Sequence, residues 1–182
     1  MKLNKITNYF SKGEITLWSS SVLLIILFFC IFDRENFLTL FASLVGVTSL
    51  IFNAKGYPVG QLLMVAFSII YGIISYSFSY FGEMVTYLGM TMPMAILAHI
   101  TWVKNPYKDN KTQVKVNTIK MKEILFILSI IVTIAFYFIL RYFNTSNIIP
   151  STISVTTSFI AVYLTFRRSP YFALAYATMM LF

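Results

Sequence analysis

Six long apolar segments follow one another along the chain: Ile15 to Phe32, Phe37 to Phe52, Gln61 to Phe81, Met84 to Val103, Ile124 to Phe143 and Ile148 to Phe166. None carries Lys, Arg or Asp at its centre, and polar or basic stretches separate them. A helix needs roughly 17–25 apolar residues to cross the hydrocarbon core of a bilayer, and each segment meets or approaches that length. Backbone groups cannot bond water there, so spanning chains are helices or closed barrels, and long unbroken apolar runs select helices. With 58% hydrophobic and only 11% charged residues, too little polar surface remains to coat a soluble globule. The sequence therefore predicts an all-α, polytopic protein embedded in the lipid bilayer.

The formal charge of +8 is a topology signal. Lys2, Lys5 and Lys12 precede the first span, and Lys55 lies between the second and third. Lys104, Lys108, Lys111, Lys115, Lys120 and Lys122 lie between the fourth and fifth, and Arg167 and Arg168 follow the sixth. These fall on one side of an alternating ladder, leaving only Arg34 and Arg141 on the other. By the positive-inside rule that side is cytoplasmic, so the N-terminus is cytoplasmic and the protein belongs in the plasma membrane. A nucleic-acid partner would need basic residues spread over one folded face, not confined to connections, and none is expected. The first segment is expected to be a retained helix, since Asp33-Arg34-Glu35 follows it without a small-x-small site.

Chemistry of the enzymatic kind has little to work with: one His, one Cys, both Asp residues in connections, and no phosphate loop or metal-ligand spacing. No enzyme, metal or cofactor is expected, and Cys30 reads as a small buried apolar side chain. The polar residues within or beside the spans are Gln61, Tyr71, Tyr87, Thr91, His99, Trp102, Thr156, Thr157 and Ser158. Hydroxyls, amides and aromatic rings without fixed cations suit a neutral or cationic ring bearing a sugar, whereas a phosphate wants Arg, Lys or helix N-termini. A plain sugar or a choline-like cation would fit the same inventory, and a non-transporting structural protein remains the alternative class.

Individual residues keep two readings. Trp102, near the end of the fourth span, is a binding residue or an interfacial anchor. Gln61 binds or caps a helix start. His99 is a coupling group or a packing histidine. Thr156, Thr157 and Ser158 point in successive directions around a helix, so one of them is expected on a pathway. Pro93, with Gly89 just before it, predicts a bend that could serve gating. Glu83 stands beside an outer connection, where it attracts a cation or is simply solvated. Lys55-Gly56-Tyr57-Pro58 and Arg167-Arg168-Ser169-Pro170 align as a short repeat, and their spans cross in the same direction, which implies parallel units.

Larger stretches carry a resemblance. Gly82-Glu83-Met84-Val85-Thr86-Tyr87-Leu88-Gly89-Met90-Thr91, Trp102-Val103-Lys104-Asn105-Pro106-Tyr107, Val114-Lys115-Val116-Asn117 and Pro150-Ser151-Thr152-Ile153-Ser154-Val155-Thr156-Thr157-Ser158 are similar to the Gram-positive branch of the PnuC family. That family transports nicotinamide riboside and is also named for nicotinamide mononucleotide. The resemblance implies facilitated uptake of an NAD precursor through a SWEET-like pair of three-helix units. The implied divisions are 1–36 (extra first span), 37–103 (first unit), 104–147 (basic loop and linker span) and 148–182 (second unit). Trp102 matches the family's Trp at the close of its first three-helix unit, and Glu83 an acidic family position; the polar inventory itself puts the expected substrate contacts at Trp102, Gln61, Thr157, Tyr87, Thr91 and His99.

The family continues after Ala-Tyr-Ala with Asn-Asp and further apolar sequence, where this chain reads Thr178-Met179-Met180-Leu181-Phe182. Two adjacent methionines conceal an Asp codon in the neighbouring reading frame, so the expectation is a frameshift shortly before Met179 and a shortened second unit. Such a monomer is expected to insert but to lose stability and sustained transport unless a second copy, in a homo-oligomer, supplies the missing helices.

Overall fold

The computed structural model describes residues 10–107, 110–117, 122–145 and 147–179; Lys2, Lys5, Lys108, Lys120 and residues 180–182 lie outside them. The chain runs α1 (Lys12–Phe32), α2 (Phe37–Ala54), α3 (Val59–Ser77) and α4 (Phe81–Thr86). A π-helical turn (Tyr87–Thr91) carries α4 into α5 (Met92–Lys104). A small antiparallel hairpin, β1 (Pro106–Tyr107) and β2 (Asn110–Val114), precedes α6 (Lys122–Tyr142), α7 (Ile148–Phe166) and α8 (Phe172–Met179). Counting α4 through α5 as one span, six of the described helices are long and apolar enough to cross a membrane. They coincide with the six apolar segments; the hairpin within the basic connection has no counterpart in the hydrophobic pattern.

α1 starts with a capping box: the Glu14 amide donates to Ser11 Oγ and the Ser11 amide to Glu14 Oε2. It buries no residue and leaves Leu17, Leu23, Phe28 and Phe32 exposed. In lipid such a face is already in its preferred solvent. Cys30 is on this exposed surface and not buried as expected, because α1 packs as an outer helix against α2. Two polar ties fix it there, Trp18 Nε1 to Thr48 Oγ1 at 3.3 Å and Lys55 Nζ to Glu14 Oε2 at 2.9 Å.

Without a hydrophobic driving force between helices in lipid, close packing comes from small residues. The α2–α3 interface buries Ala42 and Ser49 from one helix and Gly60, Ser68 and Ser75 from the other, with Gly46 seated against the Phe67 ring. Gly72 of α3 receives Leu88 of the π-helical turn so closely that a Cβ there would stand 2.6 Å from Leu88 Cγ. A second cluster, Met90, Leu140, Val155 and Phe159, joins that turn to α6 and α7, and Ala161, Leu164 and Ala175 pack α7 against α8.

The aligned tetrapeptides share one backbone. At the end of α2, Gly56 is left-handed (φ 68), and the Tyr57 and Gly56 amides donate to the Phe52 and Asn53 carbonyls. At the end of α7, Arg168 is left-handed (φ 57), and the Ser169 and Arg168 amides donate to Leu164 and Thr165. Both are Schellman turns, each followed by a proline that stops the helix. α3 and α6 close in the same way on the opposite face, with Ser79 (φ 60) and Asn144 (φ 49) in the left-handed position.

Candidate functional site

A cavity of about 860 Å³ opens between the α3–α4 turn and the α6–α7 turn and descends between α3, the α4–α5 span and α7. Along α7 it is lined from Pro150 to Val162, a drop of about 18 Å at 1.5 Å per residue, more than half of a hydrocarbon core of roughly 30 Å. The mouth carries Ser79, Tyr80, Glu83, Asn144, Thr145 and Asn147. Gly82 lets the rim close up, since a Cβ there would lie 2.6 Å from Thr145 Oγ1 and 2.7 Å from Leu140 Cδ2.

One wall is aromatic. Tyr71 and Tyr87 have ring centroids 4.6 Å apart, and Phe67 lies 5.4 Å from Tyr71 and 5.9 Å, edge-on, from Tyr87. The facing wall is a hydroxyl ladder of Ser151, Ser154 and Ser158 on α7, with Thr91 on the α4–α5 side. Glu83 is, among the described residues, the one formally charged side chain in the lining, and no Lys or Arg contributes to it. Among the described residues no three His, Cys, Asp or Glu side chains gather where a metal ion could be held.

The π-helical turn has a local cause in the sequence. Pro93 has no N–H to offer the Gly89 carbonyl, so the ladder slips by one residue: the Met92 amide reaches back to Tyr87 O, and Thr91 Oγ1 donates to Thr86 O at 3.3 Å. Gly89 sits inside the turn, where an added Cβ would make an ordinary contact with Val85 Cγ1 at 3.7 Å. The slip leaves Tyr87 and Thr91 on the cavity, Met90 in the core and Leu88 against Gly72.

The other candidates lie off this cavity, each with a partner in the protein. Gln61 is 2% exposed and donates from Nε2 to Asn53 Oδ1 at 2.8 Å, bridging α3 to α2. His99 Nδ1 is 2.9 Å from the Pro58 carbonyl, an acceptor only, so Nδ1 carries the proton of that bond. Trp102 is 1% exposed; its Nε1 donates to the Thr165 carbonyl of α7 at 2.9 Å, and Phe172 meets its ring edge-on. Thr157 bonds back to the Ile153 and Ser154 carbonyls of its own helix. Thr156 Oγ1 lies 2.8 Å from Thr133 Oγ1 of α6, so of the three successive hydroxyls it is Ser158 that lines the cavity.

Phe67, Ser151, Ser154, Asn144, Asn147 and Tyr176 also line the cavity, and the sequence pattern of polar residues does not single them out. The 151, 154, 158 spacing of serines is a one-face helical pattern and was available as a signal. The rim asparagines had none, because they are placed by the turn after α6.

Residues 36–180 match the model of the nicotinamide mononucleotide transporter family. The chain belongs to that family. This nicotinamide mononucleotide transporter family member is accordingly a membrane transporter of NAD precursors and not an enzyme. Its fold is similar to the crystal structure of the vitamin B3 transporter PnuC, with a TM-score of 0.80. The match covers 100% of this chain and 80% of that one at 18% sequence identity. No curated protein sequence matches the family member.

Proposed function

We propose that the protein takes up nicotinamide riboside, the cationic and unphosphorylated precursor, by facilitated diffusion through the cavity between α3, the α4–α5 span and α7. The observation that carries this reading is the charge of the lining: among the described residues, one carboxylate at the mouth and no Lys or Arg. A phosphomonoester brings about −1.5 to −2 charges and needs donors or cations to replace its water. A pyridinium ring instead gains from the faces of Phe67, Tyr71 and Tyr87, and from Glu83 at the entrance. Tyr87, Thr91 and the Ser151–Ser158 ladder are its contacts, the hydroxyls serving the ribose. Trp102 acts at the closed end, through its bond to Thr165.

The turns that carry Lys55, Lys104, Arg167 and Arg168 lie opposite the mouth. Placed in the cytoplasm by the positive-inside rule, they make this the outward-open form, closed inside at Trp102. Gly89 and Pro93 set the turn about which the fourth span flexes. Among the described residues of the lining, Glu83 is the one carboxylate and no His joins it, which supports simple facilitated passage.

Uptake of labelled nicotinamide riboside into proteoliposomes tests the reading. Unlabelled riboside should abolish uptake, while the mononucleotide at the same concentration should leave most of it. Glu83→Gln should raise KM several-fold and flatten its dependence on salt. Equal competition by the two compounds would show that the charge argument is wrong.

A further inference from the structure

The basic connection does more than carry topology-setting charge. In a Schellman turn the left-handed residue directs its own carbonyl away from the helix, and both such carbonyls on the cytoplasmic face are taken by one short segment. The Val114 amide donates to Gly56 O at 2.9 Å, and the Asn117 amide donates to Arg168 O at 3.0 Å. The same segment is tied to its own base by the Lys115 amide on Asn105 O at 2.8 Å, and Arg168 Nη1 donates to Lys115 O at 3.2 Å. It therefore bridges the ends of α2 and α7, the two repeat-related helices. Its fit at Gly56 is close, since a Cβ there would stand 3.2 Å from Val114 Cγ1.

Above the bridge lies the Trp102 bond to Thr165, the other tie between the α5 end and α7. Between the ties is a hollow of about 290 Å³, walled by Ala54, Trp102, Val114 and Phe172 and edged by Lys55 and Arg168. Three residues of fully extended chain span at most about 10–11 Å. With the two anchoring hydrogen bonds added, the Gly56 and Arg168 carbonyl oxygens can stand at most about 16–17 Å apart, so the ends of α2 and α7 move apart only as the segment straightens or an anchor releases.

We infer that residues 114–117 form a latch on the cytoplasmic side, holding the ends of α2 and α7 together in the outward-open form and releasing one anchor each time substrate passes. This rests on the reading of the cavity as the transport route. The anchor that lets go is Arg168: a left-handed arginine is strained where Gly56 is not, and it stands against the like charge of Arg167. The Gly56 anchor stays, so the latch swings with the α2 end.

A reversible staple decides it. In a Cys30→Ser background, Asn117→Cys with Arg168→Cys would lock the releasing anchor, and Asn105→Cys with Lys115→Cys would staple only the base of the hairpin. On oxidation the first pair should lose at least nine-tenths of its riboside uptake and regain it on reduction, while the second keeps more than half. An oxidised 117–168 pair that transports like its reduced form overturns the latch. Should the reduced pair itself be inactive, hydrogen exchange on the unsubstituted protein decides: substrate should speed exchange of the Asn117 amide at least threefold while Lys115 stays protected. Unchanged exchange at Asn117 during active uptake overturns the latch equally. Absence of riboside uptake by the unsubstituted protein would instead sink the proposed substrate.

Discussion

Replacing Gln61 by Leu separates a framework role from a binding one. Gln61 and Asn53 are 2% and 5% exposed, and their amide bond of 2.8 Å lies inside the α2–α3 interface. Cutting one partner leaves the other's amide buried, which in soluble proteins costs about 1–3 kcal/mol. Between membrane helices the measured worth of such bonds is smaller, about 0.6 kcal/mol on average with a maximum near 1.7, and that range governs here. At about 2–4 °C per kcal/mol for a chain of this size, Gln61→Leu should lower the melting temperature in detergent by about 1–7 °C. Asn53→Leu should cost a similar amount, and the double variant should cost less than the sum, because two apolar side chains leave nothing unsatisfied. Riboside KM should stay within about twofold throughout. A Gln61→Leu protein with unchanged melting and a tenfold higher KM would refute this reasoning and put Gln61 on the substrate.

Gly72→Ala should destabilise by about 1–3 kcal/mol in thermal unfolding, because the new methyl meets Leu88, and Leu88→Ala in the same chain should return most of the loss. Pro93→Ala supplies the N–H that Gly89 O lacks; with the π-helical turn closed to an α-turn, the segment before it rotates by about 100° and Tyr87 leaves the cavity. Riboside affinity should fall several-fold, and an unaltered affinity would mean that Pro93 does not set the turn. Ser158→Val should raise KM in uptake assays while Thr157→Val leaves it alone, since only the first hydroxyl lines the cavity. The reverse order would place the route on the other face of α7.

The number of spans, their positions and the side that gathers the cations were legible in the amino-acid order, because hydropathy and charge are local properties that lipid reads segment by segment. So was the lack of fixed positive charge at the centres of the spans, from which the substrate argument follows. Pro93 was visible as a position where one N–H is missing, and the structure answers it with a π-helical turn. What the order of residues could not decide was which polar side chains share a cavity. Trp102 is satisfied by a carbonyl 63 positions away and His99 by one 41 positions away, and the rotation of each helix that makes those bonds also turns Tyr87, Thr91 and Ser158 toward one another. In lipid an apolar helix has no intrinsic inside face. The choice of face is made by small residues such as Gly46, Gly60 and Gly72, which determine where the helices can come closest.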